Sequence, residues 1–168
     1  MDIWANHHEL LIIEIVRMKM NIQILFVSLA LCAGMMIPFQ SAMNAQLGKT
    51  LQSAYFSALT VFVVAMISLA LYVLVFRHPV PSVQNFRSAP LWGYLGGILG
   101  AAYILLIVIC APKLGIGNVT VMVLAGQLVA AMVIDHWGLL NTPVHPINWP
   151  RVAGILLMAA GVYLVKKF

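Results

Sequence analysis

The stretch GNVTVMVLAGQLVAAMVIDHWG, residues 117–138, decides the fold class of this chain. No charged residue occurs from 114 to 134, and about 20 apolar residues at a rise of 1.5 Å each cross a bilayer core of roughly 30 Å. Gln127 lies near the middle of the stretch and Asp135 near its end. Hydrocarbon contains no water to solvate such groups, so they usually face a bundle interior, a cavity or a partner. The stretch is therefore predicted to be a membrane helix with one polar face, and functional residues are expected on that face.

The composition of the 168-residue chain indicates an integral membrane protein. Hydrophobic residues make up 63% and charged residues 8%, whereas water-soluble domains carry about a quarter charged residues. The net charge of +5 does not indicate nucleic-acid binding, because the nine Lys and Arg stand singly or in pairs at the ends of apolar runs. Cations in such places are topology signals. Membrane lipid is therefore a predicted partner, and nucleic acid is not.

The sequence lacks the residue sets that are typical of enzymes and cofactor sites. Cys32 and Cys110 each lie inside an apolar run, which favours small, reduced, buried side chains. No pairing of a nucleophile with a base and no cluster of metal ligands is apparent. We predict neither catalysis nor a bound metal or cofactor.

Five apolar runs predict an all-α, polytopic membrane protein with about five transmembrane helices. They lie between Lys19 and Lys49, between Lys49 and Arg77, between Arg87 and Lys113, within residues 117–138, and from Pro150 to Lys166. The linkers 77–90 and 139–149 contain prolines and other turn-forming residues. Residues 21–168 are thus predicted to form one five-helix transmembrane domain.

Residues 1–20 differ from the runs, because charged residues interrupt them too often for a membrane span. Either they form an interfacial helix, or translation begins at Met18 or Met20 and they are an upstream extension. The sequence leaves both interpretations open.

The charges that flank the runs are nearly balanced between the two membrane faces. If the N-terminus lies on face A, that face receives five Lys and Arg residues and the opposite face B receives four. The positive-inside bias that normally fixes orientation is then close to zero. We predict insertion in both orientations and an antiparallel homodimer. The alternative is that a single loop decides the orientation regardless of the totals.

Two sets of glycines are predicted to pack against another helix or a second copy, because a helix without side chains at the contact lets another backbone approach closely. The third run forms overlapping small-xxx-small pairs with Gly93, Gly96, Gly97 and Gly100. In the fifth run Gly154 and Gly161 are seven residues apart, so both lie on one helix face.

Four polar residues inside the spans are the candidate substrate or pathway residues: Gln40, Asn44, Gln127 and Asp135. Gln40 and Asn44 are four residues apart and share a helix face. Two alternatives stay open, namely that Asn44 is a hydrogen-bonding residue between helices and that Asp135 is an interfacial acid paired with a cation such as Arg151. Hydroxyl residues such as Ser57 are expected to bond their own helix backbone.

Counting along the helices places Asn44 and Asp135 at opposite membrane faces of one subunit. The first span runs from face A to face B with Asn44 near face B, and the fourth returns with Asp135 near face A. An inverted second copy would bring the Asn44 of one subunit to the face of the other's Asp135. Two equivalent polar gates of this kind fit alternating access.

Four motifs as a set resemble the YdcZ-like family of the drug/metabolite transporter superfamily. They are GxxxxxQxxxNxxLG at 34–48, WxxxGGxxGA at 92–101, AGQLxxxxxxDHWG at 125–138 and RVxGxLLMxxGVYLV at 151–165. Membership implies a bacterial inner-membrane protein of about five helices, equivalent to half of a longer ten-helix transporter. The spacing of Gly154 and Gly161 also resembles the dimer-forming last helix of the small multidrug resistance proteins. Those proteins exchange protons for cations on a membrane-embedded glutamate, and this chain has no Glu after Glu14.

The function predicted from these features is small-solute transport across the membrane by alternating access, and the family resemblance implies export. The uncharged amides favour a neutral or weakly charged small molecule as the substrate. Two alternatives stay open: a small dual-topology ion channel, and an accessory subunit of a larger membrane complex.

Overall fold

The computed structural model describes the backbone of residues 2–167 and the side chains of residues 14, 16–164 and 167. Regular structure in this range is helical: α1 Asp2–Thr50, α2 Ala54–Val75, α3 Val83–Ser88, α4 Leu91–Leu114, α5 Ile116–Trp137, a 3₁₀ turn Leu139–Asn141 and α6 Trp149–Lys167. The prediction of an all-α fold is confirmed.

Four helical segments are long and apolar enough to cross a membrane. They are Val16–Thr50 within α1, and α2, α4 and α5, while Trp149–Leu164 within α6 is a shorter apolar helix. Each corresponds to one of the five predicted runs. The fold is therefore that of a polytopic membrane protein, as the sequence predicted.

Residues 1–39 form a unit of their own, which consists of the first part of α1. No Gly or Pro occurs between Asp2 and Ala33, and a charged side chain alone does not break a helix, so the backbone is helical throughout this stretch. Most of its described apolar side chains are exposed, with Leu25 at 55% and Phe26 at 64%. Exposed apolar surface of this kind suits lipid. The predicted boundary after residue 20 coincides with no break in the helix, and the two interpretations of residues 1–20 stay predictions.

Residues 40–168 form the second unit, in which α4 packs against α2 and α5, and α5 packs against α6. Gly115 alone joins α4 to α5, with φ +83°. Glycine adopts this left-handed backbone without the clash that a Cβ would cause. One residue therefore reverses the chain and makes α4 and α5 an antiparallel hairpin.

The order of contacts fixes the direction of α4 relative to the end of α1. A Cβ at Gly48 would lie 2.7 Å from Val108 Cγ1 and 3.6 Å from the Cβ of Ser57. Earlier in α4, a Cβ at Gly100 would lie 3.7 Å from Phe62 Cζ, which is further along α2. α4 is therefore antiparallel to α2, which itself returns along the end of α1 after the turn at 51–53. The end of α1 and α4 run in the same direction.

The core of this unit is small and lies where α1, α4 and α5 meet. Its buried members are Ala45 of α1, Ile107 and Ala111 of α4, and Val119 of α5. Alanine at two of these positions lets the helix backbones come close. Most other apolar side chains of the helices are exposed in the single chain.

The two predicted linkers contain short helical segments that the sequence analysis did not anticipate. In the linker 77–90, the backbone N–H of Asn85 donates to Ser82 Oγ over 3.2 Å, so Ser82 caps the N-terminus of α3. In the linker 139–149, Gly138 ends α5 in the left-handed conformation with φ +59°, and the 3₁₀ turn follows.

Candidate functional site at the two ends of α5

Asn44 lies in the helix junction at the first end of α5 and is 6% exposed. Its backbone carbonyl accepts a hydrogen bond of 2.8 Å from the hydroxyl of Ser57, which is fully buried. The side-chain amide of Asn44 forms no hydrogen bond with another residue in the part of the chain that the structure describes. The contact between α1 and α2 is therefore made by the backbone of Asn44, which leaves its amide available. We call this junction, formed by Ser41, Asn44, Ala45, Gly48, Ser57 and Val108, the packed end.

Gln40 and Gln127 are both exposed in the single chain. Gln40 shares a helix face with Asn44, but the buried positions of α1 begin only at Ser41. Gln127 lies eleven residues after Ile116, about 16 Å along a helix of 22 residues. Gln127 is therefore a polar side chain halfway along α5, and α5 is a helix apolar enough to lie in hydrocarbon.

Asp135 lies at the other end of α5 and pairs with Arg151. Its Oδ2 is 3.4 Å from a terminal guanidinium nitrogen (Nη1) of Arg151, and the two side chains are 35% and 34% exposed. The same nitrogen donates to the backbone carbonyl of His145 over 3.1 Å, and the backbone N–H of His145 donates to the carbonyl of Asp135 over 2.8 Å. The ion pair with Arg151, which was one of the two interpretations of Asp135, is therefore present in the structure. We call Asp135, His145 and Arg151, with the loop 138–148, the loop end.

Two further contacts fix the loop end. The ring nitrogen Nδ1 of His136 accepts a hydrogen bond of 3.2 Å from the backbone N–H of Ile147. The side chain of Asn148 accepts a bond of 3.0 Å from the backbone N–H of Arg151, which caps the start of α6. His136 thus has a structural partner in the loop that follows α5.

A cleft of about 380 Å³ opens between α5 and α6 beside the ion pair. It is lined by Leu128, Ala131, Met132, Asp135, Arg151, Gly154 and Ile155. Both charges of the pair thus border a space that reaches into an otherwise apolar part of the helix pair. The arrangement can bind or release a small polar molecule at this end of the bundle if the ion pair separates.

Asn44 and Asp135 lie near opposite ends of α5. Ala45, the neighbour of Asn44, packs in one cluster with Val119 near the start of α5. Asp135 follows sixteen residues after Val119 in the same helix, about 24 Å away along its axis. This is the placement that counting along the sequence predicted for one subunit, and the roles of the two residues stay predictions.

A family model described as "Putative inner membrane exporter, YdcZ" matches residues 25–164, which are 140 of the 168 residues. The chain belongs to the YdcZ family. The resemblance found in its motifs is thereby confirmed, and so is its place as a multi-pass protein of the inner membrane. The family is described as one of exporters. Among curated proteins and among solved structures, none matches the chain.

The predicted packing glycines of this YdcZ-family chain fall into two groups. A Cβ at Gly100 would touch the ring of Phe62, so Gly100 lies at the contact of α4 with α2. A Cβ at Gly93 would meet only the ring of Pro90, at 3.9 Å. The remaining positions would meet nothing within 4 Å: Gly96, Gly97, Gly154 and Gly161. These open positions stay candidates for contact with a second copy.

Sequence reasoning missed two residues of the packed end. Ser57 was expected to bond its own helix, as Thr60 and Ser68 do with carbonyls four residues earlier, but its hydroxyl bonds the carbonyl of Asn44 in α1. This expectation was wrong because Ser57 lies in the first turn of α2, beside the end of α1. Gly48 was noted only as a motif residue, although its place against Val108 makes it the tightest helix contact among the described glycines in the spans.

Proposed function

We propose that the chain is one subunit of a homodimeric small-solute exporter that works by alternating access, with a pathway lined by Gln40, Asn44, Gln127 and Asp135. The observation that carries this proposal is the exposure of Gln127 halfway along α5. An amide that faces hydrocarbon loses its hydrogen bonds to water, which costs several kcal/mol by rough estimates. Gln127 therefore needs a water-filled path or a polar partner.

A second copy supplies such an environment. The neighbour of Gln127 is Gly126, where a Cβ would meet nothing within 4 Å in the single chain. Glycine next to an exposed amide lets a partner helix approach closely and hydrogen-bond across the contact. The open glycines of α4 and α6 provide further surface of the same kind.

An antiparallel arrangement of the two copies gives each membrane face the same pair of polar groups. Asn44 and Asp135 lie near opposite ends of α5, and the flanking charges are nearly balanced. Inverting one copy places its Asn44 at the level of the other's Asp135. Opening and closing the Asp135–Arg151 pair at one face and then at the other provides the two like states of alternating access.

The transport proposal is tested on purified protein in two steps. A thermal-shift screen of metabolites finds a stabilising solute, since a ligand at 100 times its dissociation constant adds about 2.7 kcal/mol. Exchange of that solute is then measured in proteoliposomes. We expect Gln127→Ala to weaken binding and Asp135→Asn to impair proton-coupled exchange. Gln23→Ala, which removes an exposed amide of α1, is the matched control and should leave both unchanged.

Three results would contradict the proposal. Full binding and exchange in both variants would show that Gln127 and Asp135 do not line the pathway. Rapid, non-saturating ion flux without coupling would favour the alternative of a channel. A pure, stable homo-oligomer that moves no solute unaided would favour the accessory subunit.

The dimer is tested on α6 with matched double variants. We expect Gly154→Leu with Gly161→Leu to convert the detergent-solubilised dimer to monomer. The control changes Ala153 and Ala160, which are also seven residues apart and exposed but lie about 100° around the helix. If the glycine variant stays dimeric, the contact lies elsewhere, and Gly96 with Gly97 is the next set to change.

Dual orientation is tested with reporter fusions to the C-terminus. We expect signals from both membrane faces in the unaltered chain, because the flanking charges are five against four. Two or three lysines added to one face should make the signal uniform. One clean orientation without added lysines would exclude the antiparallel arrangement.

A further inference from the structure

The ion pair at the loop end leaves part of each charged group without a partner. Its one contact joins Oδ2 of Asp135 to Nη1 of Arg151 at 3.4 Å, whereas charge-assisted hydrogen bonds are normally about 2.7–2.9 Å long and an Arg–carboxylate pair is often bidentate. Among the residues that the structure describes, none forms a hydrogen bond with Oδ1 of Asp135 or with Nη2 and Nε of Arg151. Both groups therefore have hydrogen-bonding capacity left for a ligand.

The side chains of the pair line the cleft between α5 and α6, and about a third of each is exposed. A molecule in the cleft can therefore reach both charges. The other lining residues are uncharged, with Leu128, Met132 and Ile155 as the larger apolar ones. The volume of about 380 Å³ corresponds to roughly twelve water molecules at 30 Å³ each. The space suits a small solute that has a charged end and an apolar body.

The two opposite charges favour a solute that carries both signs. No further charged residue is among the described residues that line the cleft. A cationic solute that pairs with Asp135 competes with Arg151 and leaves the guanidinium without its partner, and an anionic solute does the converse. A zwitterion provides a counter-charge for both side chains. In an α-amino acid the ammonium nitrogen and a carboxylate oxygen are roughly 3 Å apart by standard bond lengths, close to the 3.4 Å between the paired atoms of the two side chains.

The cleft lies on the face of α5 that carries the two polar candidates of this helix. Ala131, one of the lining residues, is four residues before Asp135 and four residues after Gln127. Residues at this spacing are neighbours on one face of a helix. A solute in the cleft is therefore one helical turn from the level of Gln127, about 6 Å from Ala131 along the axis.

We propose that the cleft at the loop end binds a small zwitterion that has an apolar side chain. Its ammonium pairs with Asp135 and its carboxylate with Arg151. Its apolar part lies along Leu128, Met132 and Ile155. This inference rests on the proposed function, because it names the substrate class of the same pathway. A zwitterion has no net charge, which agrees with the uncharged amides elsewhere along the proposed pathway.

The first test compares three probes on the unaltered, full-length protein. Binding is measured at pH 7 by saturation-transfer NMR in nanodiscs of deuterated phosphatidylglycerol, with empty nanodiscs subtracted. L-Leucine has both charges, isoamylamine has the same skeleton without the carboxylate, and 4-methylpentanoate has it without the ammonium. We expect leucine to bind at least roughly 10-fold more tightly than either, the effect of one charge-assisted hydrogen bond. Equal binding of leucine and a probe with one charge would overturn the zwitterion site.

The second test removes one charge of the pair at a time. Asp135→Asn should weaken leucine binding roughly 10-fold and strengthen binding of 4-methylpentanoate, because Arg151 loses its competing carboxylate. Arg151→Gln should weaken leucine binding as much and strengthen binding of isoamylamine. Arg87→Gln, at an exposed arginine of α3, is the matched control and should change none of the three. A loss of leucine binding without the two reciprocal gains would mean that the pair only holds the loop, and would overturn the site.

A lipid headgroup is the other source of a zwitterion at a membrane face. Phosphatidylethanolamine carries an ammonium and a phosphate, whereas phosphatidylglycerol carries no cation. We expect leucine binding to be the same when phosphatidylethanolamine replaces phosphatidylglycerol in the nanodiscs. Loss of leucine binding on that replacement would mean that the headgroup occupies the cleft, and would overturn the assignment to a free solute.

Transport of the same probe separates this site from the proposed function. If leucine binds with the reciprocal changes in the two variants but the protein exchanges no solute in proteoliposomes, the transport proposal fails and the zwitterion site stands. If exchange of another solute is measured and depends on Gln127, while leucine binds no better than the probes with one charge, the zwitterion site fails and the transport proposal stands.

Discussion

The two ends of α5 are held by different kinds of contact. At the packed end, small side chains from α1, α2 and α4 meet, with Ser57 fully buried and Val108 3% exposed. At the loop end, the ion pair of Asp135 with Arg151 is about a third exposed and its other contacts are hydrogen bonds to the loop backbone. One helix thus joins a closely packed, buried junction to a partly exposed polar one.

This difference indicates where a change of conformation costs least. Close packing of buried side chains has few alternative arrangements, because moving one side chain opens a void or creates a clash. Polar contacts near water exchange with solvent at little cost, and an exposed ion pair is worth about 0–1 kcal/mol. We therefore expect the loop end to open while the packed end stays closed within one subunit.

The largest loss of stability is expected at Gly48, where the helices of the packed end are closest to each other. Gly48→Leu must place a side chain where a Cβ alone would lie 2.7 Å from Val108 Cγ1. Overpacking of this kind typically costs about 1–3 kcal/mol, and a leucine should reach the upper value. The measurement is the unfolding free energy, or the midpoint of thermal unfolding, in mild detergent.

Gly117→Leu is the control for this prediction. Gly117 lies in the first turn of α5, and a Cβ there would meet nothing within 4 Å. The unfolding free energy of Gly117→Leu should differ from that of the unaltered protein by no more than about 0.5 kcal/mol, as for other exposed positions. If both leucine variants are equally stable, the packed end is looser than its distances indicate and the comparison of the two ends loses its basis.

A smaller effect is expected at the backbone of the loop end. Gly138 has φ +59°, and a Cβ there would lie 2.7 Å from Val144 Cγ2. Gly138→Ala should cost about 1–2 kcal/mol from the left-handed backbone together with the clash. Val144→Ala in the same chain should restore only the part due to the clash. Full restoration would show that backbone strain contributes nothing at this position.

Much of the fold followed from the sequence, because hydrophobic length in a bilayer leaves few alternatives to helices. The five runs all became helices, and Gly138 and Pro150 lie at or near helix ends. An interfacial helix over residues 1–20 was one interpretation, but its unbroken continuation into the first span was not anticipated. Charges were taken as boundaries, although only Gly and Pro break a helix strongly. The short α3 was missed because its cap, Ser82, stands among prolines.

The candidate site was less predictable, because spacing gives the face of a helix but not what lies opposite it. Gln40 and Asn44 share a face, yet one is exposed and the other buried. The pair of Asp135 with Arg151 was among the alternatives because no other carboxylate follows Glu14.

The hydrogen bond between α1 and α2 gives a finer measure of the packed end. Ser57→Ala removes the 2.8 Å bond to the carbonyl of Asn44 and leaves that carbonyl without this donor. We expect a loss of about 1 kcal/mol in unfolding free energy. Ser68→Ala is the control, because its hydroxyl bonds the carbonyl of Val64 in its own helix and is exposed. If Ser68→Ala loses as much unfolding free energy as Ser57→Ala, the hydrogen bond at the packed end stabilises the protein no more than a bond within one helix does.

The smallest effect is expected for the ion pair of the loop end. A double-mutant cycle with Asp135→Asn and Arg151→Gln isolates the coupling between the two side chains. Because both are about a third exposed and 3.4 Å apart, the coupling should be about 0.2–1 kcal/mol and should fall as salt is raised. A coupling above about 2 kcal/mol that salt does not change would mean that the pair is dry in the membrane. The loop end would then be the tighter of the two, and the packed end would have to be the one that moves.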